Sequence, residues 1–283
     1  MFPDYGVNNI PIDDVLFDVS LVDKTKKTVL MHACTHGNID VVEKLVAERA
    51  FQLKKRHPPW RAMITLDAKD EDGLSALSHA VNNHHHEIAF LLLDQKDIDI
   101  SSSDKSQIFL WAYEMDKPGI FNKLFDEDSF DHNIKTAEGD GIIHLSYLKN
   151  DTATFDRILH SNNNRSLNNQ LGLFDVNQVD KTEQTVLMHA CTQGDVDAVE
   201  KLVATKTINV NKKGPNGKTA LMMACLNDYH EIVNLFIKKR NELSINLQLK
   251  DESGKTAFEM AKDVGSEKVI ELNKICRGVL QVR

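Results

Sequence analysis

Residues 22–47 are repeated almost letter for letter 157 positions later. The first copy reads VDKTKKTVLMHACTHGNIDVVEKLVA. The second, residues 179–204, reads VDKTEQTVLMHACTQGDVDAVEKLVA, with 20 of 26 positions identical. The match reaches upstream, where LFDVSLVDK at 16–24 answers LFDVNQVDK at 173–181. An internal match of this length marks a repeat architecture, in which each unit buries its apolar face only against its neighbours. Length then counts repeats rather than cores, and 283 residues are expected to form one continuous array.

In each copy the apolar residues fall at helical spacing. TVLMHAC at 28–34 starts a helix, Gly37 interrupts, and Ile39, Val41, Val42, Leu45 and Val46 continue at helical spacing. The opening hexad recurs as SALSHA at 75–80, TALMMA at 219–224 and TAFEMA at 256–261. Two degenerate versions, QIFLWA at 107–112 and GIIHLS at 141–146, fill the middle. The hexads start 47, 32, 34, 44, 34 and 37 residues apart. This pattern resembles the ankyrin repeat, a turn plus two antiparallel helices of ~33 residues with a T-P-L-H-x-A signature.

The resemblance implies an all-α ankyrin-repeat solenoid of about seven helix-turn-helix units with short β-hairpin tips. The units cover 22–277 and start near 22, 69, 101, 135, 179, 213 and 250. Residues 1–21 are expected to form an N-terminal cap. Asn9, Ile10 and Pro11 would open a helical turn, and Val15, Leu16 and Phe17 would cover the apolar side of the first unit. Residues 278–283 form a tail. The two long spacings imply insertions near 51–67 and 160–173. The first is basic and stiffened by Pro58 and Pro59, with Trp60 after them; the second is polar and rich in Asn. Insertions in solenoids map to loops on one face, often the binding face, although loop length by itself costs little.

Local chemistry follows from the register. Thr28, Ser75, Thr185, Thr219 and Thr256 are placed to cap the first helix of their units. The turn between helices calls for a residue at positive φ. Gly37, Gly194 and Gly265 supply it, and His84, Asp116, Asn150 and Asp228 take the same slot elsewhere. That register reads His84, His85 and His86 as a turn followed by a helix start rather than a metal site, since adjacent helical side chains diverge. The signature His of the family survives only as His144. Met31, Ser78, Leu110, Met188, Met222 and Glu259 replace it, which removes the inter-repeat hydrogen bonds that the family pattern assigns to that His.

Composition excludes several functions. A net charge of −8 argues against a dedicated nucleic-acid binder, leaving the basic insertion as the one route to that alternative. No run approaches ~20 apolar residues, so no membrane span is expected. Residues 1–21 carry Asp4, Asp13, Asp14 and Asp18 and do not read as a signal peptide. Cys34, Cys191 and Cys225 share the slot after the signature Ala and are expected to be buried, inert thiols, which with Cys276 fits a reducing, intracellular (cytoplasmic) compartment. Chains of this style also resemble ankyrin proteins that intracellular bacteria deliver into host cells. His32 and Cys34 sit two apart on a helix, where side chains diverge by roughly 200°. A cysteine-dependent hydrolase, the enzymatic alternative, therefore lacks its nucleophile–base pair. No zinc-ligand spacing or phosphate loop occurs, so neither a catalytic residue, a metal nor a cofactor is expected.

What remains is surface. The resemblance implies a non-catalytic module that binds a partner protein as a monomer, along a concave groove lined by hairpin tips and first helices. The tip positions are Lys24, Lys27, Glu71, Asp72, Leu74, Lys181, Gln184 and Lys218. The helix-end positions are His36, Asn83, Met115, Gln193 and Asn227. The position before the signature Ala supplies His32, His79, Trp111, Leu145, His189 and Met223, expected half-exposed at the groove edge. Trp111 is the expected anchor, with Trp60 on a lateral arm; the competing role for Trp111 is to fill an imperfect joint between repeats.

Overall fold

The computed structural model describes residues 21–55, 64–95, 98–127, 129–165 and 173–280. These hold fourteen α-helices and no strand, so the chain is all-α as expected. The helices come in consecutive pairs. In chain order they are α1 (Val29–Thr35) with α2 (Ile39–Lys55), α3 (Ala76–Asn82) with α4 (His86–Leu93), and α5 (Ser102–Glu114) with α6 (Pro118–Phe125). Then come α7 (Ile142–Leu148) with α8 (Thr152–Arg165), α9 (Val186–Gln193) with α10 (Val196–Val203), α11 (Ala220–Leu226) with α12 (His230–Lys239), and α13 (Ala257–Asp263) with α14 (Glu267–Leu280).

Five of the six short first helices start where a hydroxyl waits; the sixth, α7, starts at Gly141, which has none. The side chains of Thr28, Ser75, Thr185, Thr219 and Thr256 accept from the backbone N–H three residues on. A cap of this kind is worth about 1 kcal/mol, a large share of what a seven-residue helix has available. The first helix of each pair ends where φ turns positive: Gly37 (70°), His84 (58°), Asp116 (52°), Asn150 (54°), Gly194 (77°), Asp228 (57°) and Gly265 (72°). These are the seven residues that the register assigned to the turn.

The hairpin tips are slighter than expected. Three isolated antiparallel bridges, Val22 with Thr28, Val179 with Thr185 and Lys250 with Thr256, stand in place of strands. Among its described residues the unit near 101 shows no hairpin. Ser101 opens α5 by accepting the Asp104 N–H, and the helix starts five residues ahead of its hexad. The insertion near 51–67 is partly helix. Glu48, Arg49 and Ala50 are good helix formers and carry α2 to Lys55, whereas Thr205 and Thr207 follow the end of α10 after eight residues. The insertion also returns to the core, since Ile64 and Leu66 are buried. Trp60 and residues 1–20 lie outside the described residues, as do the middle of the Asn-rich insertion and the last residues of the tail.

Packing divides the chain between Trp111 and Ala112, inside α5, into two compact units. In the first, α1 packs on α2 and α3, and α3 on α4, around Leu30, Met31, Leu77, Leu92 and Phe109. In the second, α7, α9, α11 and α13 stack in succession, each on its own partner helix, around Phe125, Ile143, Ile158, Leu187 and Phe236.

Candidate interaction surface

The tips are held by one recurring device. Asp23, Asp70 and Asp180 each turn one carboxylate oxygen toward two backbone N–H groups of their own loop. Asp23 takes Thr25 and Lys27, Asp70 takes Asp72 and Leu74, and Asp180 takes Thr182 and Gln184, all at 2.8–3.0 Å. The other oxygen takes the Nε2–H of a histidine nine residues on: His32 at 2.9 Å, His79 at 2.8 Å and His189 at 2.7 Å. The carboxylate thus ties the loop to the helix that follows it. Burial pushes the Asp180 carboxyl up, but the Thr182 hydroxyl, the Gln184 N–H and His189 outweigh it and bring the group down to about 2. Asp70 is likewise lowered against its burial, by the Leu74 N–H and then by His79. Asp23 is lowered chiefly by the Thr25 hydroxyl and then by the Lys27 N–H.

This geometry changes the role of the position before the signature Ala. Its histidines clasp the tips instead of lying free at a groove edge. His79 is 5% exposed and Met223 is 8% exposed, so two of the six expected half-exposed residues are buried. Met223 sits under the Thr192 hydroxyl, and His79 is sealed in by its buried partner Asp70. His32 is exposed; His189, Leu145 and Trp111 are half-buried. The Trp111 ring lies 4.1 Å from the ring of His86 and 5.8 Å from that of His84, so it fills space against the turn and helix start of the preceding pair.

The remaining candidates divide between the two compact units. In the first, Lys24, Glu71 and Asp72 are exposed, and Lys27 and Leu74 half-buried. His36 and Asn83 are exposed but bonded back to the carbonyls of His32 and His79 at their own helix ends. In the second, Lys181, Met115, Gln193 and Asn227 are exposed, and Gln184 and Lys218 half-buried. Gln193 accepts from the Tyr147 hydroxyl at 2.9 Å, and Asn227 donates to the Met223 carbonyl at 2.9 Å.

The replaced signature histidine has local substitutes. His144 is buried and meets the Gln184 carbonyl of the next pair at 3.1 Å, as the family pattern implies. Met31 and Met222 instead turn their sulfur to the N–H of their own capping threonine, and Glu259 does the same with a carboxylate oxygen at 2.7 Å. Ser78 restores a tie by donating to Asp104 on α5 at 2.7 Å. Cys34, Cys191 and Cys225 are fully buried free thiols. Burial pushes Cys34 and Cys225 up to about 12 and raises Cys191 well above the ordinary thiol value. With Cys34 in the core and His32 tied to Asp23 on the outside, the two do not meet.

Sequence reasoning missed the aspartates. The signal was present: VDK opens each long copy, and the Asp stands nine residues before the His. A spacing of nine across a turn matches no helical or strand period, so no periodicity search returns it.

A family model described as ankyrin repeats in three copies matches residues 8–104, 108–251 and 206–272. A putative ankyrin repeat protein of Rickettsia bellii (strain RML369-C) is 30% identical over 93 residues. That match spans 31% of this chain and 13% of the relative.

Proposed function

The chain belongs to the ankyrin-repeat family, and on that premise we propose that it is a non-catalytic module that binds a partner protein through its hairpin tips and the ends of its first helices. Ankyrin repeats are in general protein-interaction modules, and the family is typically non-enzymatic. The observation that carries the reading is the carboxylate clasp. It fixes the tip backbone while leaving the tip side chains exposed, and it does so on basic and on acidic tips alike. Lys24 and Thr25 stand on one tip, Glu71 and Asp72 on another, and Lys181 and Thr182 on a third. A rigid backbone with variable side chains lowers the ordering cost of association and lets charge pattern choose the partner. The first compact unit presents Lys24, Lys27, Glu71 and Asp72; the second presents Lys181, Gln184, Gln193, Lys218 and Asn227. Trp111 and Met223 belong to the support beneath, and binding is by a single chain. Buried free thiols suit work in a reducing compartment.

The test is capture with matched variants. A tagged chain takes its partner from a cell lysate, and Glu71→Lys with Asp72→Lys, or Lys181→Glu, lowers recovery about tenfold. Glu43→Lys and Glu200→Lys, exposed on the second helices, leave it unchanged. Loss on the second-helix variants with full retention on the tip variants overturns the assignment.

A further inference from the structure

The two long copies differ in what covers one side of them. In the second copy Val186 is fully buried, and Gln178 is 8% exposed, donating to the Asn133 carbonyl and lying against Gly141. The LFDV phrase before it is core. Phe174 and Val176 are 2% and 1% exposed, the Phe174 ring meets Phe125 and His132, and the Asn162 amide holds both backbone groups of Phe174. All these partners precede the copy in sequence. In the first copy the matching positions are open. Val29 in the place of Val186 is 42% exposed, Leu21 in the place of Gln178 is 54% exposed, and Val22 is 49% exposed. The Val22–Thr28 bridge gathers these three residues at one hairpin–helix junction.

The helix pair α13–α14 presents a different outer face. Glu259 stands where Met31, Met188 and Met222 stand in other pairs. It is exposed while they are 0–1% exposed, and a Lys255–Asp263 ion pair lies nearby in sequence. Terminal repeats need such a polar outer face. The face at Val29 lacks one, and the charged face at Glu259 is no match for it in a head-to-tail pair of chains.

Charge and composition name the occupant. Lys24, Lys26 and Lys27 surround the open junction, whereas the second copy carries Glu183 and Gln184 in place of the last two lysines. Residues 10–20 read IPIDDVLFDVS, apolar residues interleaved with three aspartates. The family match begins at residue 8 and so includes this segment. The same LFDV phrase is a packing segment, not a spacer, in the second copy. We propose that residues 10–20 of this chain dock on the Leu21–Val22–Val29 face, with the aspartates of the segment against the lysines of the first tip.

The experiment compares Cys34 with Cys191, two buried thiols in the same LMHACT context, in the full chain. Phe17→Asp releases the segment and loosens α1, and native-state labelling of Cys34 by a maleimide rises by about tenfold or more while Cys191 is unchanged. Lys26→Glu with Lys27→Gln gives a smaller rise, about threefold, that disappears at high salt because added salt already screens the wild-type attraction. Unchanged Cys34 labelling in Phe17→Asp overturns the proposal. A second measurement does not depend on destabilisation. Leu16→Cys paired with Val22→Cys, in a Cys276→Ser background, gives an intramolecular product with a short bis-maleimide. A covalent dimer means that a second copy fills the face, and no product means that the segment lies elsewhere; either result overturns the proposal.

Discussion

Val29 and Val186 hold the same place in the two copies of the duplicated segment, yet Val29 is 42% exposed and Val186 0%. Around them the copies agree. Thr28 and Thr185 cap alike, Cys34 and Cys191 are buried alike, and Gly37 and Gly194 both end their helices at positive φ. The shared residues thus determine the helix and its ends, while burial of the outer valine comes from the preceding pair. This separation sets the largest expected effect. Val186→Asp puts a carboxylate into a dry inter-repeat contact and costs about 4 kcal/mol in denaturant unfolding. Val29→Asp costs about 1 kcal/mol, because the most it can lose is the docking of one covering segment. Equal costs at the two sites would end the comparison.

The turn glycines test the side on which the copies agree. Each copy is followed by another helix pair, and an aromatic residue at the next helix start lies over the glycine. A Cβ on Gly37 would stand 2.6 Å from the His85 ring, and one on Gly194 2.5 Å from the Tyr229 ring. Both residues sit at φ of 70° or more, where any side chain is strained. Gly37→Ala and Gly194→Ala are each expected to cost about 2 kcal/mol, shared between the strained φ and the displaced ring. Unfolding midpoints that differ by no more than a few degrees between the two variants support a shared following side. A cost at one glycine alone would show that the following contacts also differ.

The same division explains what the sequence made legible. Caps at Thr28, Ser75, Thr185, Thr219 and Thr256, and turns at His84, Asp116, Asn150 and Asp228, depend on a few adjacent residues, so they can be read from spacing. The burial of His79 and Met223 depends on which groups come to lie over them, which no local pattern states. Trp111 shows the limit clearly. Its place in the hexad assigns it to the groove edge, but His86 on the preceding pair takes its ring at 4.1 Å. The extension of α2 to Lys55 is legible in the helix-forming run at Glu48, Arg49 and Ala50, although the long spacing between hexads points to an inserted loop there.

The tip clasps give the smallest and most specific effect. Asp180 is brought down to about 2 in the folded chain, from an unfolded value near 3.9. A depressed carboxyl contributes stability that is fully present above its unfolded value and is lost as pH falls through its folded value. The window for Asp180 therefore runs from about pH 4 down to about pH 2. Allowing for solvent at the tip, the contribution is about 1 kcal/mol at neutral pH. Asp180→Asn keeps an oxygen for the Thr182 and Gln184 N–H groups but turns a donor toward His189 Nε2, so it removes about that amount at pH 7. The difference from wild type falls below about pH 4 and becomes small near pH 2, where the folded wild-type carboxyl is half protonated. Asp23→Asn shows a smaller loss at pH 7, because the Asp23–His32 clasp is exposed while the Asp180–His189 clasp is largely enclosed, and this loss too fades in acid because the Asp23 carboxyl is also lowered. Denaturant unfolding of both variants at pH 7 and pH 2.5 decides it. A loss at Asp180 that persists unchanged in acid would mean that hydrogen-bond geometry, not charge, holds the tip, and the clasp would then work equally well with any acceptor in that place.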